Sequence, residues 1–416
     1  MQTALSAVPA RRLPLYGVLG AVLISTTGNA VTQLAVPWYV LTTTGSPART
    51  GLAVFFGALP LVVGAFFGGT VADRLGFKRM SLLADVASGV SVALIPLLAA
   101  TAGLPFWALL LLVFSGALFD TSGVTARTAL LVDLARTARM RLERVNSMEE
   151  VALTVPLLIG PPLAGALIAV LEPTYVLWID AASFAVSALA VAALVHVPGR
   201  APREEGVAVG YGRELVEGMR FVARDRVMLL LVVLTGLIGM LVAPLPSVLM
   251  PVYMMETYGS ALDLGLLIAA VGVGALVGVI FYAAVGHRLP RRPLVVLAPL
   301  GLGVTAIVLA ALPPFGVTVA AALVGGIAYG PFSPLLTTVA GERTPEEVRG
   351  RVFGILTAIT AVAAPIGVLL VGFGLQALGV RSMIGVIAVG FLALALCAAF
   401  TPALHDLRAG AADKAT

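Results

Sequence analysis

Gly69-Thr70-Val71-Ala72-Asp73-Arg74-Leu75-Gly76-Phe77-Lys78-Arg79 is a charged turn that closes one apolar run, residues 50–72, and leads into another, 80–100. A helix needs about 20 apolar residues to cross a hydrocarbon layer, and each run supplies them. Working outward, similar runs lie near 14–41, 105–128, 146–170, 175–197, 226–250, 263–286, 293–312, 317–340, 351–377 and 381–403. They do not alternate apolar and polar residues as barrel strands do. An all-α membrane protein with twelve transmembrane helices is the expected fold class.

Composition agrees. The 416 residues are 60% hydrophobic and 11% charged, with a mean hydropathy of +1.05. A soluble domain carries roughly 25% charged residues to wet its surface. The net charge of +5 and pI near 9.6 invite a nucleic-acid reading, but the charge distribution excludes it. Basic residues gather in alternate loops: Arg11 and Arg12; Arg74, Lys78 and Arg79; Arg136, Arg139, Arg141 and Arg144; Arg200 to Arg226; Arg288, Arg291 and Arg292; Arg343 and Arg349; Arg408 and Lys414. The opposite loops hold only Arg49 and Arg381. Such asymmetry places both termini and the long middle loop in the cytoplasm of a cell inner (plasma) membrane. The first run is too long for a signal-peptide core and is read as a retained span.

Enzyme chemistry finds no foothold. One cysteine, Cys397, cannot form an internal disulfide, and His196, His287 and His405 lack ligand spacing. The glycine pair Gly272-Val273-Gly274 lies inside a span without a phosphate-loop lysine. No cofactor is expected, and an ion gradient is left as the energy source.

The chain divides at residues 198–225, giving bundles at 1–197 and 226–416 joined by a cytoplasmic linker. Leu215, Met219 and Val222 recur at helical spacing there, the pattern of an amphipathic surface helix or of a plain linker helix. Across this linker the sequence repeats. Pro37, Tyr39, Thr43, Gly45, Ser46, Gly51 and Leu52 match Pro251, Tyr253, Thr257, Gly259, Ser260, Gly265 and Leu266 at a constant offset of 214. Val71, Arg74 and Leu75 keep that register against Val285, Arg288 and Leu289. Tandem halves of like orientation predict a pseudo-two-fold axis along the membrane normal, with a cavity between them.

The loop Gly69–Arg79, with Gly69, Asp73, Arg74, Gly76, Lys78 and Arg79, resembles the signature of the major facilitator superfamily, departing from it at Phe77. The copy Val285–Arg292 has lost the aspartate. The resemblance implies twelve helices in two pseudo-symmetric six-helix bundles, with Asp73 latching the halves in an outward-facing state; a simple topogenic loop is the alternative. Thr344-Pro345-Glu346-Glu347, a predicted capping box, is a candidate dock for Asp73. With the region from Asp120 to Asn146, it resembles the drug:proton antiporter group of macrolide and enterobactin exporters. Gly160-Pro161-Pro162-Leu163-Ala164-Gly165 resembles the antiporter motif of exporters, and equally suits ordinary close helix packing.

Ionisable groups inside spans are costly and mark candidate sites. Asp120 lies deep in the fourth run, and Arg127 follows two turns on along the same face. Asp120 is the expected proton carrier, with Glu149 and Glu150 as relays; a structural Asp120–Arg127 pair is the rival. Asp85 and Asp180 fall in the third and sixth runs, which the resemblance puts mostly outside the cavity, and Asp180 reads as structural. Asn29 and Gln33 share a face of the first run, suited to a substrate or to interhelical bonding. Met240, Tyr329, Phe332 and Ser333 complete a mixed apolar and polar lining. The expected function is proton-coupled efflux of an amphipathic drug-like or siderophore-like molecule by a monomer in lipid. A lipid or lysolipid transporter, and more remotely a receptor or membrane enzyme, are the alternatives.

Overall fold

The computed structural model describes residues 12–195 and 219–402, except for the side chains of 63–74, 287 and 347. Twelve long helices account for these residues. They are α1 (Leu13–Thr44), α2 (Pro47–Leu75), α3 (Phe77–Ala100), α4 (Phe106–Thr137), α5 (Leu142–Val170), α6 (Pro173–Leu194), α7 (Arg226–Thr257), α8 (Ala261–Val285), α9 (Arg291–Ala310), α10 (Phe315–Arg343), α11 (Glu346–Leu378) and α12 (Val380–Phe400). Eleven are long and apolar enough to cross a membrane; the twelfth, α2, has its apolar stretch at Pro47–Val62.

Several helices outrun their apolar cores. α4 continues to Thr137, nine residues beyond the expected end at 128, because its backbone hydrogen bonds do not stop where lipid does. Prolines sit inside α1, α2, α3, α5, α9 and α11 without ending them, since neighbouring helices shelter the freed carbonyls. Two spans are irregular. A π-helical turn, Leu245–Leu249, interrupts α7 among Pro244, Pro246 and Pro251, and α10 breaks at Gly330-Pro331. The Thr344 capping box does not form. Thr344 closes α10 as its C-cap, and α11 begins after Pro345 with no side-chain cap. Residues 219–224 of the linker are helical; the rest of its expected surface helix lies outside the described residues.

The chain forms two compact units. One holds residues 12–39 and 56–195, the other 40–55 and 219–402, so the tip of the α1–α2 hairpin belongs with the second. That tip is tied to α11 by Ser46, whose hydroxyl donates to Gln376 Oε1 at 2.8 Å, and by contact of Gly51 with Gly372.

Packing repeats between units as the sequence does. Within the first, α3 packs on α4 and α6; within the second, α9 packs on α10 and α12. Gly160 of α5 abuts Ala30 of α1, and Gly367 of α11 abuts the Met240 carbonyl of α7. The register of 214 survives in local geometry. Gly45 and Gly259 both turn through positive φ, at 61° and 67°. Ser46 Oγ then accepts from Arg49 N at 3.3 Å, and Ser260 Oγ from Asp263 N at 3.2 Å.

Candidate functional site

Every buried charged side chain among the described residues lies in the first unit: Asp85, Arg127, Glu149 and Asp180. Burial of charge without a partner is too costly to be incidental, so the partners define the site. Arg127, on α4, points Nη1 at Asp85 Oδ1 of α3, 2.5 Å away. Its Nη2 lies 3.6 Å from Asp120 Oδ1, two turns back along α4. Gly123 lets α4 approach α3 beside this guanidinium, since a Cβ there would sit 2.9 Å from Ala84 Cβ.

The remaining oxygens of the carboxylates reach other helices. Asp85 Oδ2 accepts from Ser187 Oγ of α6 at 2.7 Å. Asp120 Oδ2 accepts from Asn29 Nδ2 of α1 at 2.9 Å. Three residues further along α1, Thr32 Oγ1 donates to Asp180 Oδ2 of α6 at 2.5 Å, and Ser183 Oγ donates to Asp180 Oδ1 at 3.2 Å. These contacts close a ring of polar groups through α1, α3, α4 and α6. The ring holds one guanidinium for three carboxylates, and Asp120 is the member that opens outward, with a side chain 20% exposed. Its Oδ1 accepts no hydrogen bond, and Arg127 Nε donates none.

Glu149, on α5, accepts from Thr128 Oγ1 at 2.6 Å, while exposed Glu150 accepts from Thr154 of its own helix. Gln33 is exposed beside the ring on α1. Gly160, Pro161, Pro162 and Gly165 lie inside α5; Gly160 sets that helix against α1 next to Asn29, since a Cβ would meet Ala30 Cβ at 2.4 Å. In the second unit, Tyr329 stacks on Phe332 with centroids 6.1 Å apart; Phe332 is buried with Ile238 and Ala298, Ser333 is exposed, and Met240 is half-buried. Of the signature loop, Gly76 takes φ 82° between α2 and α3, and Lys78 Nζ donates to the Ala192 carbonyl at 3.2 Å. Arg79 is exposed. The side chains of Asp73 and Arg74, and Gly69, lie outside the described ones.

Sequence reasoning paired Arg127 with Asp120 and passed over its nearer partner, Asp85. Asp180, Ser183 and Ser187 are spaced to share one helical face of α6, but nothing in that spacing pairs Asp85 with Arg127.

A bundle of apolar helices enclosing a ring of buried charge is the architecture of a polytopic membrane transporter. The chain belongs to the major facilitator superfamily, whose family model matches residues 18–259 and 237–413. It is 32% identical over 404 residues to the multidrug efflux pump Tap of Mycolicibacterium fortuitum, covering 95% of this chain and 98% of the relative. It is 24% identical to macrolide efflux protein A of Streptococcus pyogenes over 376 residues, 89% of this chain and 91% of that one. Among solved structures it is similar to a mutant form of the nucleoside transporter NupG, with a TM-score of 0.77 at 12% identity, covering 95% of this chain and all of the other.

Proposed function

We propose that this transporter exports an apolar or amphipathic drug-like molecule from the cytoplasm across the inner membrane, by alternating access, driven by protons and without a cofactor. It works as a monomer in lipid, with both termini cytoplasmic. The observation that carries the proton half of this reading is Asp120 Oδ1. A carboxylate oxygen in the membrane interior that accepts no hydrogen bond is unsatisfied at a cost, and a proton or a cationic substrate group relieves it. Arg127, already committed to Asp85, only partly compensates Asp120. The site is therefore poised between two charge states, which is what a carrier of protons requires. Glu149 is a candidate relay from α5. The resemblance to Tap and macrolide efflux protein A supports export of drugs, and the Gly-Pro run of α5 against α1 supports the same direction.

Proteoliposomes carrying ethidium as the probe test this reading. Wild-type protein should expel ethidium faster under an imposed pH gradient. Coupling energies of about 1–3 kcal/mol correspond to roughly 5–150-fold, and Asp120→Asn should lose acceleration of that order while still exchanging ethidium. A mutant that keeps its pH-driven efflux removes Asp120 as the carrier. Movement of lysolipid in place of ethidium would make this a lipid transporter.

A further inference from the structure

We propose that Asp180 is a second proton-binding site, loaded through the Thr32 hydroxyl. Asp180 is fully buried on α6, eight residues into a span, and among the described residues no cation pairs with it. Its two oxygens meet hydroxyls only, those of Thr32 and Ser183. The helices around it bring no relief. From α4, Asp120 adds a like charge, and Arg127 is spent on Asp85 and Asp120. Asp85 on α3 is held by Arg127 and Ser187, and Glu149 on α5 by Thr128. α1 contributes only the neutral groups of Asn29 and Thr32. An ionised carboxylate there has two hydroxyl donors and no cation to set against its loss of water, whereas a carboxylic acid keeps the same two hydroxyls as partners without a buried charge.

The place is also built for a carboxyl group. Gly28 lies one turn from Thr32 on α1, and a Cβ on it would fall 2.2 Å from both Asp180 Oδ1 and Ser183 Oγ. Only glycine leaves the slot open. Thr32 is half-buried and adjoins exposed Gln33 on α1, so the proposed route enters at that face of the helix. A hydronium at that face passes a proton to Thr32 Oγ1 as the hydroxyl's own proton moves to Asp180 Oδ2. Water is left behind, and the carboxylate becomes an acid. Asn29 joins the same face of α1 to Asp120, so two proton sites flank one helix.

The use of Asp180 in transport rests on the proton-coupled reading; its protonation does not. Infrared spectra of the purified full chain in lipid nanodiscs separate the two. At neutral pH the carboxylic-acid C=O band should contain a component that survives Asp120→Asn and is lost in Asp180→Asn. Thr32→Val should shift that component and slow its exchange with heavy water. An unchanged band in folded Asp180→Asn protein overturns the proposal. If Asp180→Asn cannot be purified, an unshifted band with unchanged exchange in Thr32→Val overturns it alone. Ethidium efflux that ignores pH in the wild type would sink the coupled reading and leave the infrared result standing.

Discussion

Arg127 is the single cation in a ring with three carboxylates, and its loyalties decide what each can do. The 2.5 Å contact makes Asp85 its principal partner, and the 3.6 Å contact leaves Asp120 loosely held. On the proton-coupled reading proposed above, Asp85 is a positioning residue that fixes the guanidinium at the distance leaving Asp120 convertible. Asp85→Ala would strand a buried cation, and breaking such a pair costs about 3–5 kcal/mol. Thermal unfolding in detergent should show that loss, and Asp85→Ala with Arg127→Leu should recover much of it. Recovery of stability without recovery of pH-driven efflux would separate the structural pair from its coupling role; recovery of both would show the pair to be scaffolding alone. Sequence inspection found Asp120 and Arg127 because they share a helix, where spacing reveals a common face. Asp85 and Asp180 have their partners on other helices, up to 148 residues away, and no local pattern reports that distance.

Helices in lipid gain nothing from hiding apolar surface, so close backbone contact must supply the attraction. α8 and α10 show how. Gly274 and Gly278 on α8 face Gly326 and Gly330 on α10, and a Cβ at any of them would come within 2.2–2.4 Å of a carbonyl oxygen of the partner helix: Leu323, Ile327, Val271 or Ala275. Both pairs are spaced as Gly-x-x-x-Gly. Gly274→Val should therefore force the helices apart and cost about 1–3 kcal/mol or more, seen as a lower melting temperature and reduced recovery from membranes. Gly316→Ala, at a position with open space around it, is the control and should be neutral. A Gly274→Val protein as stable as wild type would mean that this contact contributes little. At this scale the sequence was a good guide to existence and a poorer one to ends. The twelve runs became twelve helices, each legible from its apolar length. The extension of α4, the π turn of α7 and the unformed Thr344 box were not. Helical hydrogen bonding continues past the lipid boundary, and Pro345 moves the α11 start beyond the reach of the threonine side chain.

The two halves of the chain carry the same plan in different chemistry. Left-handed glycines, serine caps and helix pairings recur at a fixed register, yet the buried charges among the described residues lie in the first unit and the glycine-lined contact of α8 with α10 in the second. Duplicated architecture carries buried charge in one half and close glycine packing in the other. Repeats in tandem with like orientation require an even number of crossings per half, so the orientation of one loop fixes that of both termini. The basic residues predict it: the middle loop, with Arg200 to Arg226, is expected on the cytoplasmic side, and the turn before α6 on the other. Cys397 is the only cysteine, and replacing it with serine gives a clean background for single-site labelling. In intact cells an impermeant maleimide should label Pro173→Cys and leave Glu205→Cys untouched until the membrane is opened. The reverse pattern would invert the protein in the membrane, and with it the sense of every proton step assigned to Asp120 and Asp180. Labelling at both positions in intact cells would place residues 173 and 205 on one side of the membrane, and the even-numbered plan of the first half would fall.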